Sequence, residues 1–166
     1  MAAPAITPPT ISRDDLASPW QRLGAGLIDG VLLFIPFTVV LFSSFVDFGL
    51  MATDAEPTFD VPVWYWPLAT LGGALYHVVP EALWGQTLGK HLVKIRVCSG
   101  RDLGRPGWVR AAKRWIVFVV VGFVPYVGNL LSIVIVLPII WDKARQGLHD
   151  KFADTLVLRN DSAPWD

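Results

Sequence analysis

Apolar and polar positions alternate along the chain in long blocks. The first apolar block covers residues 20–46 and holds only two charges, Arg22 at its start and Asp29 inside. Ser18-Pro19 precedes it, a serine placed to cap a helix and a proline at the first helical position, where its missing N–H costs nothing. Pro36 is expected to kink that helix. A second apolar block, residues 63–84, carries Trp64, Tyr65 and Trp66 at one end and Trp84 at the other, the placing of rings at two water interfaces. Between positions 23 and 89 there is no Lys or Arg, and between 115 and 141 no charge at all. An apolar run of about 18 residues already reads as a membrane span.

Region 108–141 admits two readings. As one helix, residues 115–141 would be about 40 Å long, more than the ~30 Å hydrocarbon core of a bilayer. Pro125, Gly128 and Asn129 are turn formers in its middle. The expectation is therefore two shorter segments, 108–124 and 127–141, with a re-entrant or shallow hairpin as the alternative. Between the apolar blocks, residues 92–97 alternate apolar and basic, a strand pattern. Residues 99–104 read as a turn, and residues 155–159 as a second strand.

The fold class expected is an all-α integral membrane bundle. It has two long transmembrane helices, a C-terminal helical hairpin (three to four membrane segments) and a small cytoplasmic two-stranded β element. Residues 1–18 are expected to be a flexible cytoplasmic tail, 19–158 the transmembrane domain and 159–166 a C-terminal tail. Residues 1–12 have neither the basic start nor the apolar core of a signal peptide.

Charge sets the orientation. Residues 85–114 hold eight basic residues against one acid, Asp102, whereas residues 47–62 hold Asp47, Asp54, Glu56 and Asp60 and no base. The positive-inside rule puts the basic loop and both termini in the cytoplasm of a bacterial plasma membrane. Hydrophobic residues make up 53% of the chain and charged residues 17%, which excludes a disordered chain. The 14 basic and 14 acidic residues cancel, which gives nucleic-acid binding no support. Cys98, the sole cysteine, excludes a disulfide framework.

The candidate chemistry lies at membrane depth. Counting helical rise inward from the cytoplasmic ends puts Asp29 and His77 about 10–12 Å deep, and Glu81 near the level Arg22 reaches. A polar cluster of Arg22, Asp29, His77 and Glu81 follows; Arg22 and Asp29, about 10 Å apart along one helix, pair only through long side-chain reach, and Arg22 is a ready structural partner for both carboxylates. A charge in a bilayer costs at least ~2.5–3.5 kcal/mol, so these groups are paired or wet. One reading is a proton or cation path in which His77 sets the pH response. The other is a structural ion-pair network locking two helices.

Asp142, His149 and Asp150 follow the last apolar block, where spacing favours a solvated helix end pairing with Lys143 or Arg145 over a cytoplasmic continuation of the path or docking onto the basic loop. His91 is expected in an aqueous loop as well. Arg110, Lys113 and Arg114 form one basic face for anionic lipid headgroups. Lys90 is expected at the headgroups too. Gly26 and Gly30 fit a close helix–helix contact. The run from Gly85 to Lys90 lacks the spacing of a phosphate loop and reads as a turn. His77 and Glu81 have no further ligand at metal-binding spacing, Ser43, Ser44 and Ser132 have no base beside them, and Cys98 is expected to be inert. No cofactor, metal or catalytic residue is therefore expected, and an enzyme is the weakest class.

Residues 20–25 (WQRLGA) with Leu27-Ile28-Asp29, Glu81 with residues 85–90 (GQTLGK), Ile95-Arg96-Val97, Arg110, residues 142–151 (DKARQGLHDK) and Thr155-Leu156-Val157 stand in one order. That ordered set resembles the RDD family of small bacterial membrane proteins, over about residues 19–158. The resemblance implies a multipass membrane protein with the family's arginine at Arg22, its first aspartate at Asp29 and its second at Asp150. It raises Asp150 to a partner of Arg110 or Arg114. Asp154 stands where glycine is commoner in such sequences. Cation/proton antiport has been proposed for a few members. The function expected is small cation or proton movement through the polar cluster. The alternative is a non-transporting accessory or scaffold subunit of a larger membrane complex or homo-oligomer.

Overall fold

The structure, a computed structural model, describes residues 11–45, 62–122, 124 and 127–165, with backbone alone at 42, 44, 45 and 129. The acidic loop and the first ten residues lie outside this set. Helix α1 is Pro19–Phe45. Its start is a reciprocal capping box: the Gln21 N–H donates to Ser18 Oγ (3.1 Å), and the Ser18 N–H donates to Gln21 Oε1 (3.0 Å). Ala25 and Asp29, one turn apart, are buried, while Leu27, Val31, Phe34 and Ile35 stand exposed. Its stretch Pro19–Leu41 is the one helix among the described residues long and apolar enough to cross a membrane.

Helix α2, Tyr65–Trp84, ends at Gly85, whose φ of 67° is left-handed and whose N–H caps Glu81 O. A Cβ there would fall 2.5 Å from the Val97 carbonyl, so the helix stop and the adjoining strand both require glycine. Helix α3, Leu88–Leu92, lies against α1. The closest approach belongs to Gly89, whose missing Cβ leaves room for the Ala25 carbonyl. Gly26 and Gly30, read as a close helix–helix contact within or between protomers, have nothing of this chain within 4 Å of a Cβ added there.

Strand β1, Ile95–Ser99, pairs antiparallel with β2, Thr155–Arg159, with Val97 opposite Val157. The expected pairing is present, but β1 starts three residues later than the alternation at 92–97 predicts. Lys94, at φ 58°, turns the chain out of α3 and into the strand. The segment before α1 is not a free tail. Leu16 bridges to Leu158, the Ala17 N–H donates to Val157 O (2.9 Å), and the Arg159 N–H donates to Asp15 O (2.9 Å). Ala17, Ala25, Ile95, Val97 and Val157 form one core; Leu16, Cys98, Leu103 and Leu158 form another. Trp165, expected in a loose C-terminal tail, packs against the second core and donates its indole N–H to Leu103 O (2.8 Å).

Helix α4, Gly107–Gly122, and helix α5, Gly128–Val136, are separate, as the turn formers predict. Helix α5 tightens into one 3₁₀ turn, Leu137–Ile140. Helix α6, Leu148–Ala153, packs on α4 and leads through Asp154 (φ 54°) into β2. Helix α4 also packs along α2, where a Cβ added at Gly73 would lie 4.0 Å from the Trp115 ring. The architecture is mostly helical, with one long apolar helix near the N-terminus and a small two-stranded antiparallel sheet.

Candidate functional site: a buried ion-pair relay beside a cavity

Three carboxylates from three helices are buried: Asp29 on α1, Glu81 on α2 and Asp150 on α6. Each is held by protein donors or cations. Asp29 Oδ1 accepts from the Tyr76 hydroxyl (2.6 Å) and the Gly89 N–H (2.8 Å), and its Oδ2 accepts from the Thr87 hydroxyl (2.5 Å). Glu81 is paired with Lys90 and with Arg114, whose Nε is 2.5 Å from Oε1. Asp150, fully buried, pairs with Arg114 and with Arg22 (2.7 Å) and accepts from the Gly147 N–H (3.0 Å) at the start of its own helix. Arg114 therefore links α2 to α6, and it also donates to Thr155 Oγ1 (2.9 Å) at the start of β2. A relay runs Lys90, Glu81, Arg114, Asp150, Arg22.

The four expected residues come together, though not as expected. Arg22, Asp29, His77 and Glu81 all border one cavity of about 800 Å³, with Lys90, Arg114 and His149. Arg22 does not pair with Asp29. Their separation of seven positions amounts to about 10 Å along the helix axis, and Asp150 comes within reach of Arg22 instead. His77 sets its ring edge-on to Tyr76, centroids 5.1 Å apart. Lys90 lies at Glu81 rather than at the headgroups, because the 85–90 turn folds α3 back onto α1. Arg114 leaves the expected basic face and is buried, while Lys113 stays outside over the Phe152 ring. Of the two partners expected for Asp150, Arg114 is the one found. Arg110 goes to Asp154 (3.5 Å), which Arg101 also holds (2.9 Å).

The Asp142 carboxylate pairs with Lys151 and accepts from the Ala144 and Gln146 N–H groups, not from the Lys143 or Arg145 side chains. Arg145 reaches the Leu16 carbonyl instead (2.9 Å). Ser43 and Ser132 donate to the backbone carbonyls of Val40 and Gly128. Cys98 is buried, and burial pushes its thiol up to about 11, which leaves it inert at neutral pH. Among the described residues no three His, Cys, Asp or Glu side chains come together to hold a metal ion. Tyr76, Thr87 and Gly89 escaped the sequence reading. The 85–90 string marks the last two, but a turn motif does not announce that its hydroxyl and amide will face a carboxylate on another helix.

His149 is buried, not solvated. Its ring lies 4.9 Å from Phe118, and its Nε2 is 3.3 Å from Asp150 Oδ1. Burial and then the charges of Arg114, Arg22 and Lys90 hold its pKa well below the usual histidine value. The folded protein thus resists protonation at a site the unfolded chain protonates near pH 6.5. Stability is full above that pH and falls as pH drops through and below it. Thermal unfolding in detergent at about pH 5 and about pH 7.5 should show an acid loss in wild type that His149→Gln largely removes. Equal acid sensitivity in both proteins would assign the loss to other groups.

Comparison with known proteins adds a family to this geometry. No curated protein and no solved structure matches the chain. A family model described as the RDD family matches residues 16–154, which include every member of the relay and all three carboxylates. The chain belongs to the RDD family.

Proposed function

We propose that the chain is a multipass plasma-membrane protein acting as a non-transporting accessory or scaffold module, held in one shape by its buried relay. The observation that carries this reading is that Asp29 is held by three protein donors, and Glu81 and Asp150 are each paired with two fixed cations. A carboxylate that carries a cation exchanges its partners during each cycle. Here Glu81 and Asp150 hold fixed cations, and the partners of Asp29 come from two further helices and a backbone amide. The proposal assigns no catalysis. Cation or proton transport is the second reading, favoured by the cavity that Asp29 and His77 share.

Purified protein in liposomes separates the two. The scaffold reading expects sodium, potassium and proton fluxes equal to those of empty vesicles. Flux that is present in wild type and lost in Asp29→Asn would overturn it.

The topology proposed has both termini in the cytoplasm. Residues 15–17, β1 and β2 hydrogen-bond into one unit, so the chain returns to the same side after each helical excursion. The basic residues of 85–114 lie on that side. A cysteine added at the C-terminus should resist an impermeant maleimide applied outside intact cells and react once the membrane is opened; the buried Cys98 leaves the readout clean. Labelling from outside would reverse the assignment.

A further inference from the structure

The cavity beside the relay has a second property, independent of whether the chain transports. Leu23, Leu27, Ile133 and Ile140 border it and are at the same time exposed on the outer faces of α1, α5 and the 3₁₀ turn. On a membrane-embedded α1, that rim meets lipid rather than water. The volume of about 800 Å³ is within the ~300–1,000 Å³ range of small-molecule sites. One end is cationic. Lys90, Arg114 and Arg22 share only two carboxylates, Glu81 and Asp150. Asp29, the remaining acid, sits about 10 Å along the helix from Arg22 and is held by uncharged donors.

The surplus falls on Arg22. Its side chain is nine-tenths buried and spends only Nη1 on Asp150, while Nε and Nη2 are buried with no partner among the described residues. Two adjacent guanidinium N–H edges match a phosphate bidentately, and a low-dielectric wall strengthens the match. We propose that this cavity binds an anionic phospholipid, entering sideways from the bilayer, with its phosphate on Arg22 and an acyl chain along Leu23 and Leu27. The apolar rim favours a lipid over a free aqueous phosphate.

The test uses the full chain in nonionic detergent. Native mass spectrometry follows its complexes with phosphatidylglycerol, phosphatidylcholine or inorganic phosphate. The proposal expects one bound phosphatidylglycerol, at least about tenfold tighter than phosphatidylcholine, whose phosphate is the same but whose choline cation meets the surplus positive charge of Arg22, Arg114 and Lys90. Arg22→Gln should abolish that preference and Arg22→Lys should keep part of it. Leu27→Trp, an exposed position away from the ion pairs, should weaken lipid binding by filling the acyl slot while the fold persists. Equal binding of the two lipids by wild type would overturn the proposal, as would unchanged lipid binding in Leu27→Trp. Inorganic phosphate that displaces phosphatidylglycerol would show a free-anion site instead. If Arg22→Gln fails to fold, Arg22→Lys and Leu27→Trp decide alone.

Discussion

Asp150→Asn should cost about 3–5 kcal/mol of unfolding free energy, the loss typical of breaking a buried ion pair from one side. Asp150 is fully buried and its carboxylate serves Arg22, Arg114 and the Gly147 N–H together. Asparagine keeps the shape and one acceptor but leaves both guanidinium groups short of countercharge. Two elements loosen together: α6 loses the cap at its first turn, and α1 loses its tie to α6. Denaturant unfolding in detergent micelles measures the loss. The partner assignment is tested by a double-mutant cycle, in which Arg22→Gln should relieve part of the damage done by Asp150→Asn. A coupling of about 0.5–3 kcal/mol is expected for groups in one network. Arg22→Gln with Asp29→Asn should come closer to additivity. The reverse ranking of the two cycles would restore Arg22 to Asp29 and break the relay at its end.

Residues whose position depends on local pattern were legible before the structure, and residues whose position depends on tertiary choice were not. The Ser18-Pro19 helix start, the break between α4 and α5 and the β1–β2 pairing all follow from hydrophobic period and turn chemistry, which act over a few residues. Depth counting along two antiparallel helices set Asp29 level with His77 and Arg22 near Glu81, because helical rise is nearly constant, and all four border one cavity. Depth is one coordinate, however, and pairing needs rotation and a third helix. Arg22 found Asp150, 128 positions further on, only because α6 folds back beneath α4. Lys90, Arg114 and His149 misled for a related reason. Each flanks an apolar block and so resembles an interfacial or solvated residue, yet the short elements α3 and α6 tuck Lys90 and His149 inward, and Arg114, on α4, turns to the carboxylates of α2 and α6. A five- or six-residue helix carries too few turns for its buried face to stand out in the sequence. The family resemblance narrowed the partners of Asp150 to Arg110 or Arg114, and Arg114 is the one found.

Asp29 is the residue at which loss of shape and loss of charge separate. Asp29→Ala leaves the Tyr76 hydroxyl, the Thr87 hydroxyl and the Gly89 N–H without their acceptor. Each buried donor left unsatisfied costs about 1–3 kcal/mol, so the total should reach about 3 kcal/mol or more. Asp29→Asn keeps an acceptor for Tyr76 and Gly89, and its amide can donate to Thr87 once that hydroxyl rotates; about 1–2 kcal/mol is expected for the weaker, uncharged bonds. Gly89→Ala attacks the same joint from the other side. A Cβ there would stand 2.8 Å from Asp29 Oδ1 and closer still to the Ala25 carbonyl, and the backbone carbonyl cannot swing away as a flexible side chain would. Helix α3 must then lift off α1, taking the Gly89 N–H from its acceptor. Because both changes open one joint, Asp29→Ala with Gly89→Ala should be little worse than the poorer single variant. Trypsin cleavage after Lys90, shielded in wild type by its pairing with Glu81, should rise in both. Equal stability of Asp29→Ala and Asp29→Asn, with Lys90 still protected, would mean that Asp29 does not hold α3 to α1.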